Sequence, residues 1–251
     1  MTTKVVPGLL IATPDEKEAA KEAASRMAKA VRDAIRERGA ATIALSGGSS
    51  PLPAYELFAR ETFDWNKIRV YWVDERAVPP DHPRSNYGAA RKALIDRVTI
   101  PAGNVHRMRG EASDLDAAAS EYESILRDTV AQKVGGVPSL DLVVLGIGDD
   151  GHTASLFPGE RTVHVTDRLV TAVPAAAAEG REPREPRLTL TTPVLESARA
   201  SVLIVLGKSK NAPLERIWST SGDVVETPGR VVRSFRGSVT WVIDRAAGGM
   251  G

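Results

Sequence analysis

Cysteine is absent from the 251 residues. That removes disulfides, cysteine-ligated zinc and thiol nucleophiles from consideration, and it fits a reducing compartment, so a cytoplasmic protein is expected. An excess of either charge is absent too. Thirty-three Lys and Arg stand against 32 Asp and Glu, a net charge of +1, far from the basic surplus of a nucleic-acid binder. No nucleic-acid partner is expected, and any anion must be met by a local site. Nor is there an uncharged apolar stretch near the roughly 20 residues a membrane helix needs. The apolar start is broken by Pro7 and Gly8, unlike the core of a signal peptide, so no membrane attachment is predicted. The four histidines include no close pair at metal-binding spacing, and neither a metal nor a cofactor is expected.

What is present describes an ordinary packed protein. Hydrophobic residues make up 42% and charged residues 26%, enough apolar material for a core and too little net charge for disorder. Residues 5–12 suggest a short edge strand, because Pro7 cannot donate to a ladder. A helix then follows, with Thr13 as its cap, Pro14 at its first position, Glu16 completing a capping box and Gly39 closing it. The stretch 41–45 (ATIAL), a Ser-Gly turn and a helical segment read as strand, loop and helix. The alternation continues with a strand at 68–73, helices near Tyr87–Arg97 and Asp114–Lys133, and a strand at 141–146. Strands at RLTLTT, SVLIVLG and SVTWVID follow, with a helix at Asn211–Trp218. Short apolar runs alternating with helical patterns predict a Rossmann-like α/β fold, a largely parallel sheet flanked by helices on both faces. One domain over residues 1–251 is expected, with residues 174–187, rich in proline and charge, as an exposed loop.

Three constellations sit at the carboxyl ends of predicted strands, where open α/β sheets place their ligands. Ser46-Gly47-Gly48-Ser49-Ser50-Pro51 precedes a helix, and its glycines and free N–H groups suit a phosphate; the same turn also serves as a plain strand-to-helix connection. Asp74-Glu75-Arg76 offers a guanidinium fork for phosphate and carboxylates to orient a polar group, or a solvated loop of local ion pairs. Gly146-Ile147-Gly148-Asp149-Asp150-Gly151-His152 matches G-x-G-x-x-G in form. Yet Pro158-Gly159 leaves almost no helix after it and position 171 is threonine, so the dinucleotide reading fails. What remains is a loop presenting Asp150 and His152, either a general base with its orienting acid or a structural pair. Lys208 and Lys210 follow a strand end, either as candidates to meet a phosphate or as the solvent-exposed lysines usual in a helix's first turn.

Together LSGGSSP, VYWVDERAVP with HPRSNY, GIGDDGHTASLFPG, RLTLT and GKSK resemble the glucosamine-6-phosphate isomerase/6-phosphogluconolactonase family, and within it the lactonase branch. The resemblance implies hydrolysis of 6-phospho-D-glucono-1,5-lactone, a small phosphorylated sugar lactone, to 6-phospho-D-gluconate in the oxidative pentose phosphate pathway. It places the substrate phosphate near Ser46, Gly47, Gly48, Arg76, Arg187 and Lys210, and it makes His152 the base, assisted by Asp150; Asp74, read from its place at the same strand edge, is a further catalytic candidate. Before the arginine of R-x-T-L this chain carries REPREP where the family usually has a lysine-proline stretch. An aldose–ketose isomerase/deaminase acting on an amino-sugar phosphate and a non-catalytic sugar-phosphate sensor are the alternatives. A monomer and a small homo-oligomer are both compatible with the chain.

Overall fold

The structure, a computed structural model, describes residues 3–175 and 185–250. Its spine is a six-stranded sheet assembled from β1 (Leu9–Thr13), β2 (Ala41–Leu45), β3 (Ile68–Trp72), β7 (Leu142–Leu145), β10 (Ala200–Val205) and β11 (Ser238–Asp244), in the order β1-β11-β10-β7-β2-β3. Every pair in it is parallel. A parallel sheet needs cover on both faces. One face is closed by α1 (Glu16–Arg38), α2 (Leu52–Phe58) and α3 (Asn86–Ala93), the other by α4 (Leu115–Thr129), α5 (Thr192–Ser197) and α6 (Asn211–Trp218).

The period-two alternation of strand side chains divides the core into two halves. In β7, Leu142 and Val144 join the cluster under α1, while Val143 and Leu145 join the one under α4. In β10, Val202 and Ile204 face the first cluster, and Leu203 and Val205 the second. Strands buried on both faces lose the polar alternation of a half-exposed strand, which is why they appear in the sequence as continuous apolar runs.

A second, antiparallel sheet of three strands, β4 (Asp74–Arg76), β8 (Val170–Val173) and β9 (Arg187–Leu190), stands apart from the first, ordered β4-β9-β8. The RLTL run therefore does not extend the parallel sheet. It leaves β4 and β9 paired so that Arg76 lies directly opposite Arg187, and Asp74 opposite Thr189. A short hairpin of β5 (Lys133–Val134) and β6 (Val137–Pro138) completes the strands.

Several local expectations need correction. The cap of α1 is Asp15, whose carboxylate accepts the Glu18 N–H at 2.9 Å, a contact worth about 1 kcal/mol. Thr13 ends β1, and its hydroxyl donates to the Asp15 and Ile243 carbonyls. Gly39 does close the helix, in the left-handed conformation. The edge strand starts after Pro7, whose carbonyl accepts from the Trp241 indole. The helix expected over Tyr87–Arg97 ends at Ala93, and a single 3-10 turn follows from Ile95 to Arg97. Of the expected loop 174–187, residues 176–184 lie outside the described residues, and Arg187 opens β9. No helix among the described residues is long and apolar enough to cross a membrane.

Candidate active site

Chain order reverses between β2 and β7: β3 is added beyond β2 on one side, β10 and β11 beyond β7 on the other. At such a switch point the loops leaving neighbouring strand ends diverge and open a crevice. The loops after β2 and β7 line a cleft of about 250 Å³, joined by the segment after β10 and by β4 and β9. Ser46, Gly47, Gly48, Asp74, Arg76, His152, Arg187 and Lys210 all line it. Asp150 stands just behind His152.

The loop after β2 is fixed from below. The buried Tyr55 phenol accepts the Ser46 N–H at 3.1 Å and donates to the Ser46 carbonyl at 2.9 Å. Gly48 has φ near +90°, which suits glycine. At Gly47 the requirement is closeness, because a Cβ there would overlap the Asn86 carboxamide. Among the described residues nothing accepts from the N–H groups of Gly47 and Gly48, and the Ser46 hydroxyl is buried without a partner. Unmatched donors at the entry to α2 are what an oxyanion requires.

The acidic pair after β3 divides its labour. Glu75 is buried and accepts from the Ser85 hydroxyl and from the N–H groups of Arg76, Asn86 and Tyr87. It thus seats the start of α3, and burial pushes its carboxyl above the usual range against those four hydrogen bonds. Asp74 turns the other way, to the cleft. Its Oδ1 accepts from Asn86 Nδ2 at 3.1 Å and its Oδ2 from Ser155 Oγ at 2.6 Å. Sequence patterns do not single out Asn86 and Ser155, since neither residue type titrates and both sit in segments that stand out for their neighbours.

Arg76 and Arg187 face each other across the β4–β9 pair, an arrangement that repels unless an anion lies between them. The Arg76 Nη1 group donates to the Arg84 carbonyl at 2.6 Å, which holds the fork in place. Burial holds the Arg187 guanidinium below its usual basicity, and its charged group lies over the Phe157 ring. Lys210, after β10, is held by Asp149 at 2.5 Å, an oxygen that Ser209 shares at 2.9 Å. The lysine in turn depresses the Asp149 carboxyl.

His152 is set by the tight turn before it. Asp150 Oδ1 accepts the His152 N–H at 2.9 Å and meets Nδ1 at 2.6 Å. With the Nδ1 proton directed at Asp150, the neutral ring keeps its Nε2 lone pair for a substrate. Burial, followed by Arg187, lowers the imidazole to about 4; Lys210 and Arg76 act in the same direction and Asp74 against it. Near neutral pH the ring is uncharged, as a base must be. Gly148 N–H closes the turn on the His152 carbonyl at 2.9 Å, and a Cβ at Gly148 would overlap the imidazole. Gly148→Ala is therefore expected to lower turnover roughly 10²-fold by displacing the ring, with folding checked by circular dichroism. Unchanged kinetics would show that the turn tolerates a side chain.

His106 stacks on Tyr71 away from this cleft, and His82 bonds within its own loop. Among the described residues no three His, Asp or Glu side chains converge as a metal-ligand group.

Fold and cleft together define a Rossmann-like α/β protein with a neutral histidine and a cation-rich wall at its switch point. The chain belongs to the family of glucosamine-6-phosphate isomerases/6-phosphogluconolactonase, whose profile matches residues 14–241. It is 43% identical over 218 residues to the 6-phosphogluconolactonase of Synechocystis sp., covering 87% of this chain and 88% of that relative. The corresponding figures for the enzyme of Nostoc sp. are 41% over 215 residues and 86% of each chain. A solved structure of 6-phosphogluconolactonase from Trypanosoma cruzi superposes with a TM-score of 0.85 at 30% identity, over 98% of this chain and 97% of the other.

Proposed function

We propose that the chain hydrolyses 6-phospho-D-glucono-1,5-lactone to 6-phospho-D-gluconate, with His152 as general base. The observation that carries the assignment of roles is the composition of one cleft: a neutral imidazole oriented by Asp150 at 2.6 Å, sharing its walls with Arg76, Arg187 and Lys210. The cations and the Gly47-Gly48 N–H groups take the phosphate and fix the lactone with its C1 carbonyl toward His152. Nε2 removes a proton from a water molecule as the water oxygen bonds to C1, and the carbonyl electrons move to the carbonyl oxygen, which becomes an oxyanion. Collapse of that oxyanion breaks the bond from C1 to the ring oxygen, which takes the proton back from His152. The products are an open-chain acid and a neutral histidine, so no net proton stays on the enzyme. Asp74, held by Asn86 and Ser155, supplies a fixed negative charge that supports the protonated imidazole.

The test is a coupled assay that follows 6-phosphogluconate formation above the spontaneous opening of the lactone. Turnover is expected, and a rate no greater than the uncatalysed one would sink the reading. Turnover is also expected to survive exhaustive chelation with EDTA, because water is activated here by an imidazole rather than by a bound cation. Loss restored by one divalent ion would transfer Asp74, Asp150 and His152 to a ligand set.

A further inference from the structure

Arg187 poses a problem that the proposed function does not resolve. A largely buried guanidinium attracts any carboxylate within reach, and the one within 4 Å among the described residues is Asp74, whose Oδ2 lies 3.9 Å from Nη1. The two stop short of a hydrogen-bonded pair. Arg187 Nε, moreover, is buried without a partner among the described residues. What keeps Asp74 from closing that gap is visible on the opposite side of the carboxylate. Ser155 Oγ donates to the same Oδ2 at 2.6 Å, a short charge-assisted bond, while Asn86 Nδ2 holds Oδ1 at 3.1 Å and the Asp74 carbonyl at 3.0 Å.

Ser155 is itself built into position. It is fully buried, and its N–H donates to Thr189 Oγ1 at 3.2 Å. The preceding Ala154 has φ of 49°, the one non-glycine residue with a positive φ among those described. Left-handed backbone is unfavourable for a residue with a side chain and persists where the surroundings enforce it. Here the turn lets His152 stand on the cleft wall while Ser155, three residues on, points into the protein at Asp74.

We infer that Ser155 is a positioning residue that keeps Arg187 available to the substrate's phosphate by holding Asp74 back from it. The inference rests on Arg187 being a phosphate ligand, as proposed above. Without the Ser155 hydroxyl, Asp74 rotates onto Arg187, an internal carboxylate replaces the external anion, and binding weakens before chemistry does.

The experiment compares wild type with Ser155→Ala and Ser155→Thr in two measurements: KM and kcat for the lactone, and the affinity for inorganic phosphate by calorimetric titration. Ser155→Ala is expected to raise KM and to weaken phosphate binding by a common factor of about tenfold, with kcat changing less than KM. Ser155→Thr, which keeps the donor, is expected to recover both. A lower melting temperature with unchanged phosphate affinity would reduce Ser155 to a packing residue and overturn the inference. So would a fall in kcat at constant KM. If Ser155→Ala does not fold, Ser155→Cys, a weaker donor of similar size, is read against the same outcomes. Because the phosphate titration needs no turnover, a protein that binds phosphate through Ser155-dependent geometry yet opens no lactone would refute the proposed function alone.

Discussion

His152→Ala is expected to lower kcat by roughly 10²–10⁴-fold, the contribution of a positioned general base, with the fold intact. Among the described residues the ring makes one side-chain hydrogen bond, to Asp150, and packs at a tilt on Phe157, so its loss leaves the core strands untouched. The pH profile checks the same role from another side. Burial and the neighbouring cations lower the imidazole to about 4, below its ordinary value of about 6.5, so the ring is uncharged across the neutral range. Activity is lost as pH falls through the folded value, and the acid limb of kcat/KM belongs near 4. A phosphate bound as proposed would offset Arg187, Lys210 and Arg76, whose charges help depress the ring. The limb of kcat should therefore lie at higher pH than that of kcat/KM. Folding stability follows the same group with a definite sign. Between about 6.5 and 4 the unfolded histidine takes a proton that the folded one refuses, so this contribution to stability falls as pH drops across that window. A folded His152→Ala variant with near-normal turnover, or identical limbs for the two profiles, would remove His152 as the base.

The second large effect concerns the anion. Each charge-assisted contact to phosphate contributes about 1.5–3 kcal/mol, so Arg76→Ala, Arg187→Ala and Lys210→Ala should each raise KM by roughly 10–100-fold. Removing the phosphate from the substrate withdraws all of these contacts together, and glucono-1,5-lactone without phosphate should be turned over more poorly than the phosphorylated lactone is by any single variant. Inorganic phosphate is expected to compete with the lactone. The three residues are unlike in their partners, which ranks them. Arg76 is already held by the Arg84 carbonyl and Lys210 by Asp149, whereas Arg187 has Asp74 at 3.9 Å, short of a hydrogen bond, and an Nε without a partner among the described residues. Arg187→Ala should therefore show the greatest loss. Equal kinetics on phosphorylated and unphosphorylated lactone would refute the anion site, and steady-state kinetics on the purified variants settle the order.

Much of the fold and the cleft is legible in the order of residues along the chain. Apolar runs such as 41–45 and 141–146 report strands buried on both faces, because burial on two sides leaves no polar alternation to blur the signal. Helix ends are legible through Gly39 and the first-turn acids. The local pattern nevertheless puts the cap of α1 two positions too early, since Thr13 and Asp15 are both good caps and only the strand's end distinguishes them. Ser46, Gly47, Gly48, Asp74, Arg76, Asp150, His152 and Lys210 are each visible, because glycine turns and charged residues beside apolar strands are local patterns, whereas Arg187 is reached only through the family resemblance.

What the sequence by itself determined, then, was which residues carry charge, an imidazole or backbone freedom, and that they lie at strand ends. Tertiary structure decided their pairing. The reversal of strand order between β2 and β7 brings the two glycine loops to one crevice, and the separate antiparallel sheet sets Arg187 against Arg76 across a wide gap in sequence. The distinct tasks of Glu75 and Asp74, and the restraint of Asp74 by Asn86 and Ser155, also appear only there. The reason is physical. Secondary structure and turn chemistry are set by neighbours along the chain, whereas a hydrogen bond such as Ser155 to Asp74, between residues 81 positions apart, depends on register and packing, which emerge only when both faces of the sheet are covered.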